Sequence, residues 1–427
     1  MAIVSVAPTN PLALRGQILS PRDGGGIAHV RDGLVLADAN GTLTYVGPYR
    51  AGRKRYRGPV RDLRGSVLLP GFVDAHLHFP QTRIIGRATG PLLDWLAASV
   101  FPEEARFARG PYAQQVAQEM IDRMLGAGTT TAAIFSSSST RATDVLFDAL
   151  ATRGMRAVAG MSLMDMRTPK ALLVRRQAAM AGYERLLKKW HGYDGRLEVA
   201  MTPRFALSCS RALLQEAGAF AREHGLVVQT HVGETKKEGE LTLEAHRYAE
   251  HYVGVYDQAG LLGPRTILAH AIHLTKREWD CVAERGASVA HCPDSNFFLG
   301  SGRMKLAQAR RRKIDVALGS DVAAGRSFSM RRAMASAYDN AMCLDRPVAL
   351  GELLSMATLG GARALGWDDR IGSLEEGKQA DVVAFDLPSH LRSVDELLAA
   401  LVFDDDDVSA RAAWVKGRRL TLPGEMA

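Results

Sequence analysis

Two hydrophobic rhythms alternate along the middle of the chain. Short apolar runs rich in β-branched residues occur at SVLLPGFV (66–73), TTTAAIF (129–135), RAVAGMSL (156–163) and LEVAMTP (197–203). They recur at LVVQTHV (226–232), RTILAHA (265–271), ASVAHCP (287–293) and IDVALGSD (314–321). Runs this short and this uniformly apolar predict strands covered on both faces. Between them lie stretches such as YAQQVAQEMIDRMLGAG and SRALLQEAGAFAREHG, in which apolar positions recur every three to four residues; both end at glycine, and the second opens on a serine cap. A series of strand and helix units of this kind predicts an α/β fold, a parallel (β/α)8 barrel over 66–368, with its reactive face at the C-terminal ends of the strands.

The flanks keep a different rhythm. DGLVLADANGTLTYVG near the start, and ADVVAFDLP and AAWVKGRRL near the end, read as short strands separated by turn residues. They predict a small β-sandwich built from both termini, with 1–65 as its N-terminal part and 369–427 as the returning C-terminal part. No solenoid-type repeat or low-complexity linker interrupts this plan.

Composition narrows the classes. Of the 427 residues, 47% are hydrophobic and 23% charged, enough for a large core and too little polarity for a long disordered region. The start, MAIVSVAPTNPLALRGQ, lacks a basic segment followed by a long apolar one, and no run approaches the roughly 18 apolar residues that span a bilayer. The expectation is a protein without a membrane or secretion signal. Four scattered cysteines, Cys209, Cys281, Cys292 and Cys343, form no Cys-x-x-Cys pair and predict neither a disulfide framework nor a thiolate zinc site, which fits a cytoplasmic location. The formal net charge is +8, but the basic clusters at 53–57, 310–313 and 416–419 are short, dispersed and opposed by Asp404 to Asp407. They read as solvated faces, without nucleic acid as a partner.

The chemistry gathers at the strand ends. In DAHLHFPQ, His76 and His78 stand two positions apart at the end of an extended segment and therefore point to one side. The fifth strand ends in QTHVGE, with His231 and Glu234; the sixth in LAHAIH, with His270; the eighth in GSD, with Asp321. Imidazoles and a carboxylate converging on the reactive rim point to a metal, Zn2+ in first place with Fe2+ or Mn2+ as alternatives, and to a water whose pKa the metal lowers to about 7. Glu234, just beyond its strand, is placed to move protons between that water and a substrate. The fourth strand's end, AMTPRF, supplies no lysine or carboxylate to bridge two metals, so one metal per chain is expected. It supplies Arg204 instead, a rigid fork suited to a carbonyl or carboxylate. Asp74 reads as a supporting hydrogen-bond partner, His291 as structural, and Trp95 as an aromatic at helical spacing and therefore core.

Several of these segments together resemble a known family. PGFVDAHLHFPQ, TPRFALSCS, THVGE, AHCPDSNFFLGSG, ALGSDVAAGRSFSM and IGSLEEGKQADVVAFD are similar to the amidohydrolase superfamily, and the HFPQ, PRF and GRSFSM segments to its guanine deaminases. The resemblance runs from about residue 30 to 420. It implies hydrolysis of guanine to xanthine and ammonia by a metal-bound hydroxide on one zinc, with His76, His78, His231 and Asp321 as ligands. It also implies Glu234 as the proton shuttle to a ring nitrogen, His270 as the group orienting the water, and Asp321 as the acceptor of the water's proton. His78, Gln81, Arg204, Phe205 and Glu234 would contact the purine base, Arg204 near its ring carbonyl, and the chain would form a homodimer. TKKEGELTLE, after THVGE, departs from the family's pattern and leaves loop closure and rate open. The same site acting on a pterin, 8-oxoguanine or a triazine is the alternative, and a non-catalytic scaffold the more distant one.

Overall fold

The computed structural model describes residues 11–87, 90–388, 390–391, 393–404 and 409–425. The first ten residues of the expected N-terminal part, and most of the Asp404 to Asp407 run, lie outside them. Eight parallel strands form the barrel: Phe72–His78, Thr129–Phe135, Arg156–Gly160, Leu197–Pro203, Val227–Val232, Thr266–His270, Ser288–His291 and Val316–Leu318. A two-residue strand, Ser162–Leu163, extends the pairing beside the fourth. The expected segments become these strands because apolar runs such as TTTAAIF bury every residue between the barrel interior and the helices outside.

The ring is completed by backbone hydrogen bonds between the first strand and the segment after the eighth. Asp321 N donates to His76 O at 2.8 Å, and His78 N to Val322 O at 3.1 Å. A side chain strengthens this seam: Asp74 Oδ1 accepts from Ser320 N at 2.9 Å and from His76 N at 3.2 Å.

The helices follow the same logic from outside. Gly110–Gly126 turns Ala113, Val116, Ala117, Met120, Ile121, Met124 and Leu125 inward, a stripe repeating every three to four residues. Arg211–Glu223 starts where the Ser210 side chain accepts from Leu213 N, and Lys276–Glu284 opens on a capping box between Thr275 and Glu278.

The two termini meet in one seven-stranded sheet. Its order is Arg418–Leu420, Ala412–Val415, Val382–Asp386, Arg61–Pro70, Leu12–Pro21, Ile27–Ala37, Leu43–Pro48. The run expected as the first barrel strand, 66–73, is therefore divided: Ser66 to Pro70 pairs with Asp386 to Val382 in this sheet, and Phe72 opens the barrel. Pro70 and Gly71 mark the change of direction, and a Cβ on Gly71 would sit 2.0 Å from Thr130 Oγ1, so only glycine lets the chain pass there. The sheet is tied to the barrel's lower end by a buried ion pair, Arg156 Nε to Asp381 Oδ2 at 2.8 Å, whose carboxylate also accepts from Lys416 N.

Candidate active site

The rim of the barrel brings the predicted residues together. His76 Nε2 lies 3.3 Å from Asp321 Oδ1, and His78 Nε2 lies 3.5 Å from the same oxygen. His78 Nε2 is also 3.0 Å from His231 Nε2. His270 Nε2 faces Glu234 Oε2 at 3.5 Å and Asp321 Oδ2 at 3.8 Å. Ligating atoms of His76, His231 and His270 fall within 4.8 Å of one another, as do those of His76, Cys292 and Asp321.

Hydrogen bonds fix which ring nitrogens look inward. His231 Nδ1 donates to Arg204 O at 2.6 Å, and His270 Nδ1 meets Asn296 Oδ1 at 2.9 Å. A carbonyl partner requires N–H at Nδ1, so Nε2 of both rings carries the lone pair. Burial holds His76, His78 and His231 well below the ordinary imidazole range and lowers His270, so the group is neutral. His76 Nε2 and His270 Nε2 are buried with no hydrogen-bond partner among the described residues. Buried imidazole lone pairs beside a carboxylate are the donor set that a divalent cation of the zinc type satisfies.

Backbone strain is concentrated here. His270 and Asp321 adopt positive φ angles of 72° and 48°, a conformation that side chains with a Cβ rarely take and that the surrounding structure must enforce. Gly325 enforces part of it: its N–H donates to Asp321 O at 2.6 Å, and a Cβ there would lie 1.6 Å from Ser320 O.

A cavity opens beside this cluster, with Gln81, Arg204, Phe205, Glu234 and Trp95 among its walls. Glu234 is buried, and burial, followed by the charge of Asp321, pushes its carboxyl up to about 8; Ser301 Oγ donates to it at 3.3 Å. It can therefore hold a proton near neutral pH. Gln81 Oε1 accepts from Ala323 N at 3.1 Å, which leaves its amide N–H2 group available to the cavity. Arg204 donates to Glu104 Oε1 at 2.6 Å.

Some residues fall differently from the sequence expectation. Trp95 is buried as expected, yet it also lines the cavity. Cys292, one of the cysteines whose spacing predicts no thiolate zinc site, stands near His76 and Asp321; burial and then the Asp321 charge raise its thiol well above the ordinary range. His291 is buried, and burial lowers it to about 3. Glu104, Glu238 and Asn296 were not singled out from the sequence. Glu104 and Glu238 lie on helices, where spacing says only which face is inward, and Asn296 belongs to a motif whose polar residues cannot be ranked without coordinates.

A barrel with buried imidazoles and a carboxylate gathered on its upper rim, above a sheet built from both termini, is the setting in which the Amidohydrolase family matches residues 67–420. The chain belongs to that family and, within it, to the guanine deaminases. It is 35% identical over 404 residues to the guanine deaminase of Escherichia coli (strain K12), covering 91% of each chain. It is 37% identical over 404 residues to a probable guanine deaminase of Deinococcus radiodurans, covering 90% of this chain and 92% of that one. Among solved structures it is similar to guanine deaminase from C. acetobutylicum with bound guanine in the active site. That match has a TM-score of 0.91 at 28% identity and covers 96% of this chain and 100% of the other.

Proposed function

We propose that the chain hydrolyses guanine to xanthine and ammonia, with His76, His78, His231 and Asp321 holding one divalent ion, Zn2+ by donor chemistry. The observation that carries the reading is the meeting, in one cavity, of Glu234 with the imidazole and carboxylate cluster on one side and Arg204 and Gln81 on the other. When bound, the ion would make a water acidic enough to act near neutral pH.

The residues divide the remaining work. The amino-bearing carbon of guanine is a poor electrophile until the adjacent ring nitrogen gains a proton, and Glu234 supplies it. Water oxygen then forms the new bond to that carbon, and Asp321 takes up a water proton. His270, held by Asn296, orients that water. The carbon–nitrogen bond breaks as the amino group leaves protonated as ammonia. Asp321 hands its proton to the departing amino group, and the proton left on the new hydroxyl returns to Glu234, so the net gain from water is one proton on the ring nitrogen of xanthine and one on ammonia. Arg204 and Gln81 read the carbonyl edge, Phe205 and His78 confine the ring, and a base without that carbonyl would leave buried donors unpaired.

The test is ultraviolet absorbance of the purified protein with guanine, before and after chelation, together with metal analysis. Chelator-sensitive conversion to xanthine, restored by zinc, is the expected result. A zinc-loaded protein that leaves guanine unchanged but converts a pterin, 8-oxoguanine or a triazine would transfer the same site to that substrate. A homodimer in the cytoplasm completes the reading, and sedimentation at one chain's mass would remove the dimer.

A further inference from the structure

We propose that Glu104 sets the charge of the base-reading wall: by pairing with Arg204 it keeps that wall neutral, so that the site takes up a neutral base and releases a more acidic product. The inference rests on guanine as the substrate.

The geometry supplies the argument. Arg204 ends the fourth barrel strand, whereas Glu104 comes from the short helix Phe101–Ala105 outside the barrel, and both side chains are buried, 3% and 1% exposed. The guanidinium lies 5.6 Å from the Phe101 ring and donates Nη1–H to Glu104 Oε1. Glu104 Oε2 is buried with no hydrogen-bond partner among the described residues, so the carboxylate keeps acceptor capacity beyond the single bond to Arg204. The charge of Arg204 also reaches Glu234 and Asp321, just beyond the fifth and eighth strands, and His76, His78 and His231. Glu234 and Asp321 are assigned to the proton and metal chemistry. Glu104 is the carboxylate paired directly with the Arg204 guanidinium.

The consequence concerns the product. Xanthine has two ring carbonyls flanking its N–H groups and loses a proton more readily than guanine does. A buried guanidinium without a counter-charge would hold the xanthine anion strongly, because opposite charges attract far more in the interior than in water. Paired with Glu104, Arg204 still donates to a carbonyl but no longer selects for an anion. Glu104 is thus a positioning and specificity-determining residue, acting through Arg204.

The test compares the wild type with Glu104→Gln, which preserves shape and an acceptor for Arg204 while removing the charge. Xanthine dissociation constants are measured by calorimetry on zinc-loaded protein from about pH 6 to 9, beside kcat and KM for guanine. Xanthine should bind Glu104→Gln at least about tenfold more tightly at the alkaline end, with little change at the acidic end and a KM for guanine within about threefold. Arg204→Met, which leaves the Glu104 charge alone, should show the opposite sign, with xanthine binding that weakens more steeply with pH than in the wild type. It also serves if Glu104→Gln does not fold. Equal pH slopes in the variants and the wild type would overturn the role of Glu104. A wild type that binds xanthine but does not convert guanine would overturn the substrate reading instead.

Discussion

Glu234, just before the helix Lys236–Ala245, and Glu238, within it, line the same cavity, and burial raises the carboxyls of both to about 8. Glu234 faces His270 and Asp321, whereas Glu238 accepts a hydrogen bond from Tyr252 and keeps a second oxygen without a partner. Replacing Glu234 by glutamine should leave zinc content unchanged and lower kcat roughly 100 to 10,000-fold, the range a single positioned proton donor supplies. Metal analysis beside steady-state kinetics decides it, and near-normal turnover would end its role as shuttle. Glu238 gives a stability prediction instead. Burial raises its carboxyl from the ordinary 4.5 to about 8 in the fold, so the folded state binds a proton that the unfolded chain has lost. That contribution is fully present below about pH 4.5 and disappears as pH rises through about 8. Glu238→Gln should therefore flatten the decline of Tm between those values, read by thermal unfolding of both proteins across the range. A decline of equal steepness in the variant would place the proton elsewhere.

At the scale of elements, the site is built on the seam where the first strand meets the segment after the eighth. Asp74 holds Ser320 and His76 together, and His76 O and Asp321 N bond directly, so two of the proposed ligands, from opposite ends of the barrel sequence, are fixed by one clasp. Asp74→Ala should lower metal affinity about 10- to 100-fold, as loss of a supporting hydrogen-bond partner does, while the barrel persists. Titration against a competing chelator would check this, with circular dichroism confirming the fold. The strands themselves were legible because a parallel barrel strand is apolar on both faces and stands out as a short run. Their boundaries were less so at Ser66 to Val73, where one continuous apolar run serves two sheets. Only the turn at Pro70 and Gly71 separates them.

For the molecule as a whole, the terminal sheet and the barrel are joined far from the reactive face. Arg156 begins the third barrel strand, and its guanidinium pairs with Asp381 and also donates to Gln379 and to Gly195 O. Arg156→Ala leaves the Asp381 carboxylate buried without its partner and should cost about 3–5 kcal/mol of stability. The fraction that remains folded should keep its metal and its turnover, because the pair lies at the opposite end of the strands from His76 and Asp321. Denaturant unfolding measures the loss, and a change below about 1 kcal/mol would mean that water replaces the arginine.

The sequence by itself determined the barrel, the participation of both termini and the rim residues His76, His78, His231, Glu234, His270 and Asp321. All of these follow from local regularities: alternating strand and helix periods, and polar residues placed where apolar runs stop. The tertiary structure decided what local spacing does not encode. It brought Glu104 from an outer helix to Arg204, Asn296 to His270, and Glu238 and Trp95 to the cavity wall. It also joined the terminal strands into one sheet locked to the barrel through Arg156 and Asp381. These contacts are separated by up to 320 positions in the chain, and they arise from packing and from the need to satisfy buried charge, which no periodic pattern records.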